Sequence, residues 1–182
     1  MLHIVKTAQQ DVGPPPAFCS AFWFAAYTNA NHEKRVAEQL AWRSIEHFLP
    51  LYSTTRRWKD RRVALDLPLF PGYIFVRLAL RDRLQVLQTP GVASIVGFGG
   101  IPLALPQQEI DALRKGVSRG LRAEPHPYLA VGRRVRILAG PLAGMEGILV
   151  RKKNHDRFVL SLDLIQRCVA VDIEGTDFAV EK

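Results

Sequence analysis

The run Leu69-Phe70-Pro71-Gly72-Tyr73-Ile74-Phe75-Val76 constrains this chain more than any other part of its sequence. Proline fixes φ and lacks an N–H, and glycine tolerates positive φ, so Pro71-Gly72 turns the backbone just before an aromatic, β-branched run. In a strand from Tyr73 to Val76, successive side chains point to opposite faces. Ile74 and Val76 then share one face, and Tyr73 and Phe75 the other. Both faces are apolar, which places the strand centrally in a sheet covered on both sides. On residue physics alone, a turn feeding a core strand accounts for the whole run, with Phe70 and Tyr73 as core side chains.

The surrounding pattern is mixed α and β. Phe22-Trp23-Phe24-Ala25-Ala26-Tyr27 reads as a first strand. Asn29 or Asn31 then caps a helix running to about Arg43, with Val36, Leu40 and Trp42 on its apolar side and Glu33 in the first turn. Phe48 to Tyr52 is extended. Arg56-Arg57-Trp58-Lys59-Asp60-Arg61-Arg62 follows, and then Val63, Leu65 and Leu67 alternate with Ala64 and Asp66, the pattern of a long hairpin with a basic tip. Arg81 to Gln88 suits a short helix, Thr89-Pro90-Gly91 a break, and Val92 to Phe98 a strand ending at Gly99-Gly100. Pro106 opens another helix, with Ile110, Leu113 and Val117 at helical spacing and Gly120 at its end.

The first twenty residues contain Pro14-Pro15-Pro16 and read as a disordered tail, residues 1–20. Residues 21–120 form the first domain. Residues 121–130, with Pro125 and Pro127, have the composition of a linker. In residues 131–182 the helical period disappears and short strands follow one another, separated by turn signals such as Gly140-Pro141 and Asn154-His155-Asp156. That pattern predicts a small β-barrel.

Lysine and arginine outnumber aspartate and glutamate 25 to 17, a formal net charge of +8, which points to an anionic partner such as nucleic acid or the machinery that handles it. The two cysteines, Cys19 and Cys168, have no CxxC spacing and indicate neither a zinc site nor a disulfide framework, so a cytoplasmic setting is the default. No apolar stretch has the length of a membrane span. The histidines lie apart, and no nucleophile elbow, P-loop or dinucleotide fingerprint is present, so neither a metal nor another cofactor is expected and the chain reads as a non-enzyme. At the basic tip, Arg56, Arg57, Lys59, Arg61 and Arg62 can neutralise phosphates while the Trp58 indole offers a stacking face.

Val135-Arg136-Ile137-Leu138-Ala139-Gly140-Pro141-Leu142-Ala143-Gly144-Met145-Glu146-Gly147-Ile148-Leu149-Val150 resembles a KOW motif, in which two strands flank a glycine-bearing turn at the start of an SH3-like barrel. Gly140, Gly144 and Gly147 suit tight turns and close strand crossings. In order along the chain come the strand Trp23-Phe24-Ala25-Ala26-Tyr27, the helix Glu33-Lys34-Arg35-Val36-Ala37-Glu38-Gln39-Leu40, Phe70-Pro71-Gly72-Tyr73, Thr89-Pro90-Gly91-Val92 and the KOW stretch. Together they make the chain similar to the NusG family of transcription elongation factors. The compact segment from Gly99 to Pro106 and the run Pro68-Leu69-Phe70-Pro71-Gly72-Tyr73 bring it closer to the specialised RfaH-like and UpxY-like antiterminators.

The resemblance implies an α+β NusG N-terminal domain, an antiparallel sheet flanked by helices, followed by the SH3-like KOW barrel. It implies that Tyr27, Phe70, Pro71 and Tyr73 grip the clamp helices of RNA polymerase. It places the contact to the polymerase gate loop in the region of Arg81, Asp82, Arg83, Leu84 and Gln85, and the basic tip near upstream or nontemplate DNA. The implied function is to bridge the DNA cleft and suppress pausing or termination at particular operons, as a monomer. The alternatives are a housekeeping NusG, whose KOW domain binds Rho or a ribosomal protein, and a ribosome-associated KOW protein that binds RNA.

Overall fold

The computed structural model describes residues 19–58, 61–120, 123–126, 133–140, 142–152, 155–162, 165, 167–172 and 178–180. The expected tail lies outside them except for Cys19 and Ser20, as do Lys59 and the Trp58 side chain at the basic tip.

The segment from Tyr73 to Leu78 is indeed a central strand. A four-stranded antiparallel sheet has the order β2-β5-β1-β6, built from β1 (Phe22–Thr28), β2 (Glu46–Phe48), β5 (Tyr73–Leu78) and β6 (Val92–Ile95). Alternation along β1 and β5 makes two apolar faces. On one, Phe24, Ala26, Ile74 and Val76 lie under Val36 and Leu40 of α1 (Glu33–Trp42) and Val86 of α2 (Arg83–Leu87). On the other, Trp23, Ala25 and Phe75 meet Ile110, Ala112 and Leu113 of α3 (Gln107–Ser118). Burying such side chains stabilises by about 1.5–3 kcal/mol each, and the sheet is covered on both sides for that reason.

Two smaller ribbons leave this sheet. Among the described residues, strands β3 (Leu51–Trp58) and β4 (Arg61–Pro68) pair only with each other, as do β7 (Gly97–Phe98) and β8 (Ile101–Pro102). The expected strand from Val92 to Phe98 is thus split: the Val96 N–H still bonds the Ala25 carbonyl of β1 at 2.8 Å, but from Gly97 the chain pairs with β8 instead of extending β6.

The cap of α1 also differs from expectation. His32 is the capping residue and makes no side-chain cap bond. Asn31 instead takes φ +61°, the left-handed conformation that asparagine tolerates, and the Asn29 carbonyl accepts the His32 N–H at 3.1 Å.

The C-terminal part forms a six-stranded antiparallel sheet of order β14-β10-β11-β12-β13-β9, with β9 (Ala123–His126), β10 (Arg133–Ile137), β11 (Glu146–Lys152), β12 (His155–Leu162), β13 (Arg167–Asp172) and β14 (Phe178–Val180). Within the stretch expected as linker, Ala123 to His126 adds an edge strand to β13. Pro125 is at home there because an edge strand does not need every N–H. Val135, Ile137, Leu142, Met145, Ile165, Val169 and Val171 are buried in the same cluster as Trp23, Phe70 and α3, so one core runs from the first sheet into the second.

Candidate functional site

Phe70-Pro71-Gly72-Tyr73 closes as a β-turn, the Tyr73 N–H donating to the Phe70 carbonyl at 3.0 Å. Proline in the second position and glycine at φ +85° in the third are the requirements of a type II turn. Gly72 is then fixed at both its backbone groups. Its carbonyl accepts the Thr28 N–H at 2.8 Å, and its own N–H donates to Glu33 Oε1 at 2.7 Å. The Glu33 carboxylate is buried in the first turn of α1, where the positive end of the helix dipole favours it. A side chain at Gly72 would face the strained φ and bring its Cβ to 3.2 Å from Tyr27 Cε2.

Thr89-Pro90-Gly91-Val92 repeats the device. The Val92 N–H donates to the Thr89 carbonyl at 3.0 Å, Gly91 has φ +99°, and its carbonyl accepts the Asn29 N–H at 2.8 Å. The neighbouring amides of Thr28 and Asn29 are therefore tied to two Pro-Gly turns, and these turns clamp the loop between β1 and α1.

Against this clamp stands an aromatic pair. Tyr27 and Tyr73 are direct cross-strand partners, with ring centroids 5.3 Å apart and planes at 55°. Tyr27 is 44% exposed, Pro71 is exposed and Tyr73 half-buried. Phe70 is not part of that surface. Only 1% of it is exposed, and it meets Phe75 edge-on at 5.5 Å between centroids. Three of the four residues implied by resemblance thus share a surface while the fourth supports it from below. Sequence reading missed two neighbours: Glu33, whose role was legible only as a first-turn acid, and Arg167 of β13, whose guanidinium lies 5.8 Å from the Tyr73 ring centroid.

The other predicted regions are separate. Arg81 and Asp82 lie in a 3-10 turn, Leu80–Asp82, and pair at 3.5 Å, whereas Arg83, Leu84 and Gln85 begin α2. Leu84 is exposed, and the Gln85 carbonyl accepts bonds from Thr89 Oγ1 at 3.0 Å and Arg43 Nη1 at 3.4 Å. Arg56, Arg57, Arg61 and Arg62 are exposed at the far end of the β3–β4 ribbon. Gly140 and Gly144 take φ +83° and +85° where the chain turns from β10 to β11, with the Gly144 N–H on the Ile137 carbonyl at 2.8 Å, and Gly147 lies in β11 opposite Val135.

Sequence comparison agrees with this architecture. The family described as "Transcription termination factor nusG" matches residues 21–114, just over half of the chain. A transcription termination/antitermination protein NusG of Lactococcus lactis is 28% identical over 166 residues, covering 84% of this chain and 89% of that protein. A protein of the same description from Staphylococcus aureus is 29% identical over 170 residues, covering 84% and 91%. The structure of Thermotoga maritima NusG, described as a domain interaction in that protein, matches with a TM-score of 0.58 at 17% identity, covering 90% of this chain and 98% of its own, a likeness of fold. The chain therefore belongs to the NusG family of transcription termination and antitermination factors.

Proposed function

We propose that this protein binds transcribing RNA polymerase through the surface of Tyr27, Pro71 and Tyr73 and suppresses pausing or termination without catalysing a reaction. The observation that carries this reading is the Tyr27–Tyr73 pair, Tyr27 exposed and Tyr73 half-buried, held against a turn whose Gly72 is fixed at both N–H and C=O. Tyrosines give contact area with little entropy to lose, and a preformed surface avoids the cost of ordering it on binding. Phe70 contributes as the support of that surface. The region from Arg81 to Gln85 faces the gate loop, the basic ribbon meets upstream or nontemplate DNA, and the C-terminal sheet is an SH3-like KOW domain. A clip across the cleft favours the closed clamp only as far as it binds that state more tightly, so the mechanism is a shift of populations.

Tyr27→Ala tests the docking surface. The aromatic pair contributes about 0.5–1.5 kcal/mol beyond its buried area, so the variant should still fold. Binding to elongation complexes should fall by roughly tenfold or more, as for an interface anchor. Unchanged affinity in a folded variant would overturn the assignment.

Action at particular operons rests on the resemblance of the compact Gly99–Pro106 segment, and of the run Pro68 to Tyr73, to the specialised antiterminators. The relatives named above carry the general NusG description, which supports the housekeeping reading with contacts to Rho or a ribosomal protein through the C-terminal sheet. Genome-wide occupancy separates the two: a few operons for the first, most transcribed genes for the second.

A further inference from the structure

The β3–β4 register puts Arg57 directly opposite Arg62. Both are exposed, on the face of the ribbon that also carries Ser53, Thr55, Ala64 and Asp66. Directly opposed side chains in an antiparallel pair have Cβ atoms about 4.5–5.5 Å apart, and like charges so placed oppose pairing. The opposite face carries the half-buried Thr54, Val63 and Leu65, so the two arginines cannot turn to a shared core without leaving their side of the pleat.

Among the described residues, countercharge on their own face begins at Asp66, four residues along β4 and about 14 Å away at strand rise. That carboxylate is already bonded to Ser53 Oγ at 2.6 Å. Among the described residues none of Arg56, Arg57, Arg61 or Arg62 forms an ion pair. Two guanidinium groups therefore stand side by side with no described residue to neutralise them.

We propose that Arg57 and Arg62 form a clamp for a single phosphodiester of DNA. Guanidinium is planar and donates in a fork matched to phosphate oxygens, and two forks meeting from adjacent strands can hold one phosphate between them. Arg56 and Arg61, on the other face, follow the backbone more loosely as point charges. This rests on the reading that the ribbon binds nucleic acid and assigns to one face of it a defined ligand.

The test uses the full-length protein and elongation complexes assembled on a synthetic scaffold, with affinity measured across a range of salt. If the two arginines share one phosphate, Arg57→Ala and Arg62→Ala each weaken binding, and the double variant weakens it little more than either alone. The slope of log affinity against log salt then falls by about 0.9 in the double variant, the value for one phosphate contact on duplex DNA. A neutral methylphosphonate at one scaffold position should reproduce the loss with wild-type protein and cost the double variant nothing further. Additive losses with a slope change of about two contacts would overturn the shared clamp, as would a double variant that binds like wild type. Replacing all four arginines by alanine distinguishes the levels. A loss there with no loss in the Arg57/Arg62 pair sinks the clamp alone, while no loss in the quadruple variant sinks the reading of the ribbon itself. Circular dichroism on each variant confirms that the fold is retained.

Discussion

The Phe70-Pro71-Gly72-Tyr73 turn and the β3–β4 ribbon are neighbours along the chain, yet they are constructed in opposite ways. In the turn, Gly72 is bonded through N–H to a buried carboxylate and through C=O to the next strand, and Tyr27 stands over it. The ribbon pairs only with itself and ends in arginines that have no ion-pair partner among the described residues. A protein partner is recognised by shape, and shape held in advance costs nothing to order at binding. A phosphate backbone is recognised by charge, which is useful only if the fold has not already neutralised it. The difference teaches that rigidity and unpaired charge are alternative investments of neighbouring segments.

The sharpest way to break the contrast is Gly72→Val. A β-branched residue at φ +85° is strained, by about 1–2 kcal/mol for the left-handed conformation alone, and its Cβ would approach the Tyr27 ring at 3.2 Å. We expect a lower midpoint in denaturant unfolding and loss of polymerase binding together. DNA binding by the ribbon should survive wherever the variant stays folded. Loss of both in equal measure would mean that the turn and the ribbon are one unit.

Next in size is Glu33→Ala, which removes the acceptor of the Gly72 N–H. Leaving a partly buried donor unpaired costs about 1–3 kcal/mol, and the lower end is expected here because Gly72 is only half-buried. Glu33→Gln retains an acceptor oxygen and should recover most of the stability and polymerase affinity. Hydrogen exchange at the Gly72 amide is the direct readout: fast in the alanine variant and slow in the glutamine variant. If both exchange like wild type, Glu33 does not hold the turn.

These effects also mark what the sequence could reveal. The central strand, its two-faced alternation and the Pro-Gly turn were legible because they depend on residues a few positions apart. So was the helix after Pro106, whose Ile110 and Leu113 are buried as their spacing requires. The bond from Gly72 to Glu33 joins residues 39 apart and leaves no local trace beyond an acid in a first turn. Arg167 over Tyr73 has no sequence signal, since a lone arginine in a strand is usually a surface residue. The resemblance places Phe70 on the docking surface, whereas its aromatic ring is buried in the core behind the turn. The prolines of residues 121–130 predict a linker, yet Ala123 to His126 pairs with β13 as an edge strand.

The smallest expected effect concerns the other end of the ribbon. Asp66→Ala removes the hydrogen bond from Ser53 Oγ, an exposed cross-strand pair of the kind that contributes about 0.2–1 kcal/mol. The ribbon should therefore be slightly less stable. Its DNA binding should change very little, because Asp66 lies about four residues, or 14 Å at strand rise, from Arg62. That distance exceeds the Debye length of about 8 Å at physiological ionic strength, so the lost negative charge is largely screened from the tip. Affinity and salt slope should both match wild type at physiological salt, and affinity should rise only when salt is lowered far enough to lengthen the screening distance. A changed slope at physiological salt would show that the whole ribbon acts as one diffuse electrostatic surface. Its tip would then lose the local character that sets it apart from the turn.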